Sequence, residues 1–405
     1  MDESHWQEDV PLDVEFQKAS ERFGGALDLR PADSDPRVAT PQRLEARANT
    51  RLLFLRPLNI FRHILRKLAQ RPALRGTIIG DIKFGYLLTT MPNALCWKDG
   101  GRYYYIGVTS GLGYLVHGWA ASFLSMPDFM PDAIAGAEDE IPGDLRLLRQ
   151  GFDLEKVIDW KREEGLIQGK YRMPKSPARR LVTYEIAHMA LLHTFLHELG
   201  HCLLRHLDFA GDYLDVHMLK ELRSGVDGRP EKEHLAHFFE LTADNLAMEV
   251  FLAERGGQQY GGGPADGYAC WSLAVDLVLW LFGYGTALTE ASPTHPHPHV
   301  RIANKVHKLA EYEKHNSGRI VCQLGPDVKL PIDKFCNWVS RQLAESWIKT
   351  QLPGWTNSLW SGKEALGVSH KKWCDVWQTN SALRRAYEEH IDWKVVAGAI
   401  AGNSQ

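Results

Sequence analysis

Cysteine is sparse in this chain, and its six residues (Cys96, Cys202, Cys270, Cys322, Cys336, Cys374) lie far apart with no C-x-x-C among them. That excludes zinc-ribbon spacing and a dense disulfide framework, and a reducing cytoplasm is the expected setting. An apolar leader is also missing: Met1-Asp2-Glu3-Ser4-His5 is acidic, so no secretory signal is expected. Residues 268–282 are strongly apolar but contain Asp276 and fall short of the roughly 20 residues that cross a bilayer, so they read as a buried helix. Neither charge sign is in large excess. A net charge of −3 and a pI near 6.7 give no bulk attraction to nucleic acid. Gly111-Leu112-Gly113 lacks the third glycine of a dinucleotide loop, and the glycines at 256–263 lack the Gly-Lys-Ser/Thr of a phosphate loop. Internal repeats and low-complexity tracts are absent as well.

What the chain does have is H-E-x-x-H, as His197, Glu198, Leu199, Gly200 and His201. Ser176-Pro177 offers a helix start, and apolar residues recur at helical spacing from Leu181 to Leu203. On a helix, positions i and i+4 share a face about 6 Å apart along the axis, so both imidazoles can reach one metal ion. Glu198 would stand beside that ion as a proton acceptor for water. The plain alternative is a helix with two satisfied core histidines.

A second stretch, Glu240-Leu241-Thr242-Ala243-Asp244, also has a helical pattern and puts two carboxylates on one face. A catalytic zinc takes three protein ligands and keeps one position open, and two histidines with a glutamate are one such set. Asp244 is spaced to accept the other N–H of a ligand histidine. Together, H-E-L-G-H and E-L-T-A-D resemble the gluzincin group of zinc metallopeptidases, most closely the phage-exclusion, Lit-like family. In motifs alone they also resemble membrane-embedded prenyl-protein proteases. The resemblance covers residues 181 to about 305. It implies Zn²⁺ held by His197, His201 and Glu240, Glu198 as general base and Asp244 behind the ligands. It also implies a defence-associated protease with a narrow protein target.

A third stretch, Thr294-His295-Pro296-His297-Pro298-His299-Val300-Arg301-Ile302, cannot be helical where prolines alternate. It resembles the T-H-P…R-I segment that follows the ligand helix in related peptidases. Three readings stand: His295 or Arg301 steadies an oxyanion, His295, His297 and His299 form a second metal site, or the stretch is a loop ahead of a helix over 300–314.

Elsewhere, residues 43–75 make a basic amphipathic pattern, either a surface for a membrane or acidic partner or a packed helix with a solvated basic face. Residues 77–80, 83–89 and 102–108 read as strands, and 103–108 as an edge strand for substrate. Residues 112–125 and 153–170 read as helices, 128–144 as an acidic surface loop and 216–223 as a short helix. The glutamate helix is expected over 232–255, with His237 on the Glu240 face. Tryptophans gather after residue 337 in a helical pattern.

The expected fold is α+β and helix-dominated, a zincin-like core with a small sheet. The domains are placed at 1–50 (polar arm), 51–175 (basic helix and sheet), 176–325 (catalytic core) and 326–405 (Trp-rich helical subdomain). The function expected is hydrolysis of a peptide bond in a protein or peptide substrate, with no specific nucleic acid and no transmembrane segment. A non-catalytic, zinc-stabilised binding module is the alternative, favoured if Cys202 or His237 closes the metal's coordination.

Overall fold

The computed structural model describes residues 13–29, 41–74, 76–131, 134–140, 158–161, 166–214, 230–255, 267–283, 296, 298–315, 321–324 and 328–331, with isolated positions from 334 to 391. In chain order the elements are α1 (Val14–Ser20), α2 (Pro41–Gln70), β1 (Ile82–Leu87), β2 (Ala94–Lys98), β3 (Tyr104–Thr109), α3 (Ser110–Leu124), β4 (Ile158–Lys161), β5 (Leu166–Gly169), α4 (Pro177–Leu203), α5 (His206–Leu214), α6 (Pro230–Arg255), α7 (Gly267–Gly283), α8 (Pro298–His315), β6 (Val321–Leu324) and β7 (Val328–Pro331). The fold is α+β and dominated by helices.

Helix α4 is the axis of the molecule. Ser176 sits in extended backbone at its N-cap, and Pro177 takes the first turn, where its missing N–H costs nothing. From Ile186 to Leu203 every side chain is buried. A helix buried on all sides needs neighbours all round. These are α2, α3, α6, α7 and the sheet. Phe61 of α2 stacks on Phe195 of α4 with ring centroids 4.9 Å apart.

The sheet runs β1-β3-β2, with β3 parallel to β1 and antiparallel to β2. The expectation that residues 103–108 form an edge strand is therefore wrong. Both sides of β3 are paired and all six of its residues are buried, so the outer strands are β1, bridged at Leu87 by Ala26, and β2. Two further expectations fail. Residues 78–81 form a 3-10 turn after Gly76, which is in the left-handed region (φ 77°), instead of a strand. In place of the helix expected over 153–170, residues 158–161 and 166–169 form the antiparallel pair β4-β5, with strands of only four residues each, while 153–157 and 162–165 lie outside the described residues. Such short strands show no alternation long enough to compete with a helical spacing.

Helix α2 buries Phe54, Phe61, Leu65 and Leu68, and several of its cations are used within the fold. Arg51 donates to the Leu29 carbonyl, Arg56 pairs with Glu185, and Lys67 and Arg71 both meet Glu254. The packed-helix reading of residues 43–75 accounts for these residues. The segments 216–223 and 256–263 lie outside the described residues, as does most of 326–405.

Two histidines in this core are expected to make the protein acid-sensitive. Burial, then the nearby charge of His188, pulls His117 down to about 3; burial, then Arg56, does the same to His188. Below about pH 6.5 the unfolded chain takes up protons at these sites and the folded chain does not, so stability falls with pH. The expected loss is at most about 1.4 kcal/mol per pH unit for each histidine below pH 6.5. Urea midpoints at pH 7 and pH 5 should show it, and equal midpoints would contradict it.

Candidate metal centre

Helices α4 and α6 cross at Gly200. A Cβ there would lie 2.9 Å from both the Cα and the carbonyl oxygen of Ala243, so the approach depends on the absent side chain. Gly200 lies inside H-E-x-x-H and Ala243 between Glu240 and Asp244, so this crossing brings the two motifs face to face.

His197 Nε2 and His201 Nε2 lie 3.1 Å apart. Glu240 reaches both, with Oε2 3.4 Å from His197 Nε2 and Oε1 3.7 Å from His201 Nε2. One ligand atom from each residue falls within 4.8 Å of the others, and all three side chains are buried. Ligands about 2.1 Å from one tetrahedral ion stand roughly 3.4 Å from each other, so the donor set fits a metal ion. Among the described residues the group has three members and includes neither Cys202 nor His237. Cys202 is buried in the apolar core.

Behind the three donors lies a charged layer. Asp244 Oδ1 is 2.8 Å from His197 Nδ1, on the ring edge opposite the facing nitrogens. Arg301, on α8, grips Asp244 with Nε to Oδ2 at 2.7 Å and Nη2 to Oδ1 at 2.6 Å, and its Nη1 is 3.3 Å from Glu240 Oε2. Burial favours the neutral form of Asp244, yet Arg301 and His197 outweigh it and hold the carboxyl well below the usual range. Burial likewise works against a charged His197, but Asp244 and Glu240 overcome it and push the imidazole up to about 10. The protons and charges here are pinned by neighbours.

Glu198 is buried and lines a cavity together with His193, His197, Glu240 and Arg301, closed by Asn93 and Ala94 beside the sheet and Val278 and Leu279 of α7. Cys96 of β2 is adjacent. Burial, then Cys202 and the Glu198 carboxylate, push its thiol well up, which keeps it a neutral S–H. His193, one turn before His197, is held neutral mainly by burial, which pulls it down to about 3.

Of the residues expected from sequence, His197, Glu198, Glu240 and Arg301 line this cavity, His201 joins His197 and Glu240 in the donor cluster, and Asp244 is in contact behind them. His295 and His297 lie outside the described residues, as does the side chain of His299, so the second metal site proposed for them does too. Helix α8 starts at Pro298.

Sequence reasoning missed His206, which places Nδ1 2.8 Å from His201 Nδ1. Five residues on, a continuous helix would turn it well away from His201. The helix does not continue: it ends at Leu203, Arg205 adopts φ 54°, and a new helix starts at His206. A left-handed arginine has no sequence signature, since glycine or asparagine is the usual occupant.

Residues 145–321 match the family model for Peptidase U49. The match is to peptidases. It spans under half of the chain, yet includes His197, Glu198, His201, Glu240, Asp244 and Arg301, and it supports a proteolytic function. No curated protein and no solved structure matches the chain. Among the described residues no helix is long and apolar enough to cross a membrane.

Proposed function

We propose that this protein is a zinc-dependent metallopeptidase that cleaves a peptide bond in a protein substrate, with His197, His201 and Glu240 as ligands and Glu198 as general base. The observation that carries the reading is the convergence of two ring nitrogens and a carboxylate, of which His197 and Glu240 line a cavity that also holds Glu198. When bound there, zinc would lower the pKa of water towards neutrality and polarise the scissile carbonyl. Glu198 takes the proton from the attacking water and delivers it to the leaving amine. Asp244 accepts the Nδ1–H of His197 and so leaves Nε2 as its donor atom. Arg301 fixes Asp244 and Glu240, and its charge at the cavity wall favours a developing oxyanion. His295 remains the other group proposed for that task.

The outer edge of β2 is unpaired among the described residues, and Asn93 and Ala94 line the cavity. An extended substrate would add there by backbone pairing. The catalytic role is assigned to residues 176–325. The likeness to phage-exclusion peptidases extends the proposal to a defence-associated, cytoplasmic enzyme with a narrow target.

Metal analysis and chelation test the reading. The purified full chain should carry one zinc ion and cleave members of a fluorogenic peptide library. Treatment with 1,10-phenanthroline should abolish cleavage and added zinc should restore it. A chain that binds no metal, or cleavage that survives chelation, would sink the proposal.

A further inference from the structure

We propose that His206 is a positioning residue for the metal centre: it accepts the Nδ1–H of His201 and donates its own Nε2–H to Tyr387, so that the C-terminal part of the chain holds the second ring ligand in its metal-binding tautomer. The inference rests on reading His197, His201 and Glu240 as a metal-binding set.

A neutral imidazole carries one N–H. If His201 offers Nε2 to the metal, its proton sits on Nδ1, and the atom facing that proton is His206 Nδ1 at 2.8 Å. Two N–H groups cannot point at each other over that distance, so His206 must present a lone pair and carry its own proton on Nε2. That nitrogen lies 3.0 Å from the Tyr387 hydroxyl and 3.4 Å from Thr242 Oγ1. Thr242 already donates to the Phe238 carbonyl at 2.8 Å, which leaves its oxygen free only to accept. Each proton in the chain then has one direction. His201 gives to His206, and His206 gives to Tyr387, the nearer of the two oxygens.

The surroundings hold this arrangement in place. His206 is fully buried and its ring stacks on Phe239 of α6, with centroids 4.1 Å apart and planes 13° apart. Tyr387 packs edge-on against Phe209 and Phe238 at 5.4 and 5.1 Å. The turn that delivers His206 is strained, because Arg205 has φ 54° without being glycine. Arg205 Nε is tied to Asp208 Oδ2 at 2.8 Å, and Asp208 also receives Lys98 at 3.1 Å and the Tyr104 hydroxyl. The strain is thus maintained by a set of polar contacts that reaches the sheet. Its product is a histidine placed behind a ligand, the counterpart of Asp244 behind His197. Tyr387 lies outside the span matched by the peptidase family model.

The test uses the full-length parent and three variants: His206→Leu, His206→Gln and Tyr387→Phe. Zinc affinity is measured by competition with a chromophoric chelator, and the site geometry is followed by the visible spectrum of the Co²⁺ form. His206→Leu, which keeps bulk and loses the acceptor, should bind zinc about 10–100-fold more weakly and shift the Co²⁺ bands. Glutamine offers an oxygen to His201 Nδ1–H and should restore most of the affinity. Tyr387→Phe keeps the ring and should cost about fivefold, the worth of one net hydrogen bond. Parent-like affinity and spectrum in His206→Leu overturn the proposal, as does a glutamine variant that loses as much as leucine, which would mark a packing role. If the leucine variant does not fold, Tyr387→Phe decides, and unchanged affinity there rejects the link to the C-terminal part. A parent chain that binds no metal overturns the metal reading and this inference together, whereas a metal-binding parent with insensitive variants overturns only this one.

Discussion

Glu198→Gln should keep the metal content of the parent and lose about 10²–10⁴-fold in turnover, the range expected when a general acid–base group is removed. Glutamine has nearly the shape of glutamate, so α4 keeps its packing and the cavity keeps its wall. Glu198 is not one of the three clustered donors, so neutralising it removes no ligand. The amide oxygen still offers an acceptor to the neutral Cys96 thiol. What the variant cannot do is take a proton from water and return it to the amine. The deficit should therefore appear in kcat, with KM little changed, since a proton in flight belongs to the transition state and not to substrate binding. Metal analysis and steady-state rates on one preparation check both halves. Parent-like turnover would remove Glu198 as the base, and lost metal would make it a ligand instead.

The parts of this site that were legible in the sequence are those with fixed helical spacing. His197 and His201, and Glu240 and Asp244, are each four apart on helices with clear periodicity, so shared faces follow from geometry alone. What brings the two faces together is Gly200 against Ala243, and a glycine in a helix does not announce which partner it approaches. Arg301 lies on α8, so its grip on Asp244 depends on tertiary placement that no local pattern carries. The sheet was read in part. β1 and β3 have runs of apolar and aromatic residues, but β2 is only five residues long, starts two residues after Pro92, and carries no signal of its own. Without β2, β3 looked like an edge. His206 was hidden for a different reason, because its position follows from a backbone conformation that is unfavourable for the arginine that adopts it.

Glu240→Ala should lower zinc affinity by more than the roughly 10–100-fold expected for losing a partner that only orients a ligand, such as Asp244. Two effects act in the same direction. The donor set falls from three to two, leaving a pair of imidazole rings 3.1 Å apart with no anionic ligand. In addition, Arg301 Nη1, which faces Glu240 Oε2 at 3.3 Å, keeps its charge while one of its counter-charges disappears. Burial opposes that charge, and Asp244 and then Glu240 are what hold it. The site would turn from one that attracts a cation to one that presents a cation of its own. Glu240→Gln separates the two contributions, since its amide oxygen can still approach the ion but brings no charge. Its affinity should lie between those of the alanine variant and the parent. The Gly200–Ala243 crossing is untouched in both, so far-UV circular dichroism should remain that of the parent. Unchanged zinc content in Glu240→Ala after dialysis against a mild chelator would reject Glu240 as a ligand, and with it the three-donor centre on which the peptidase reading stands.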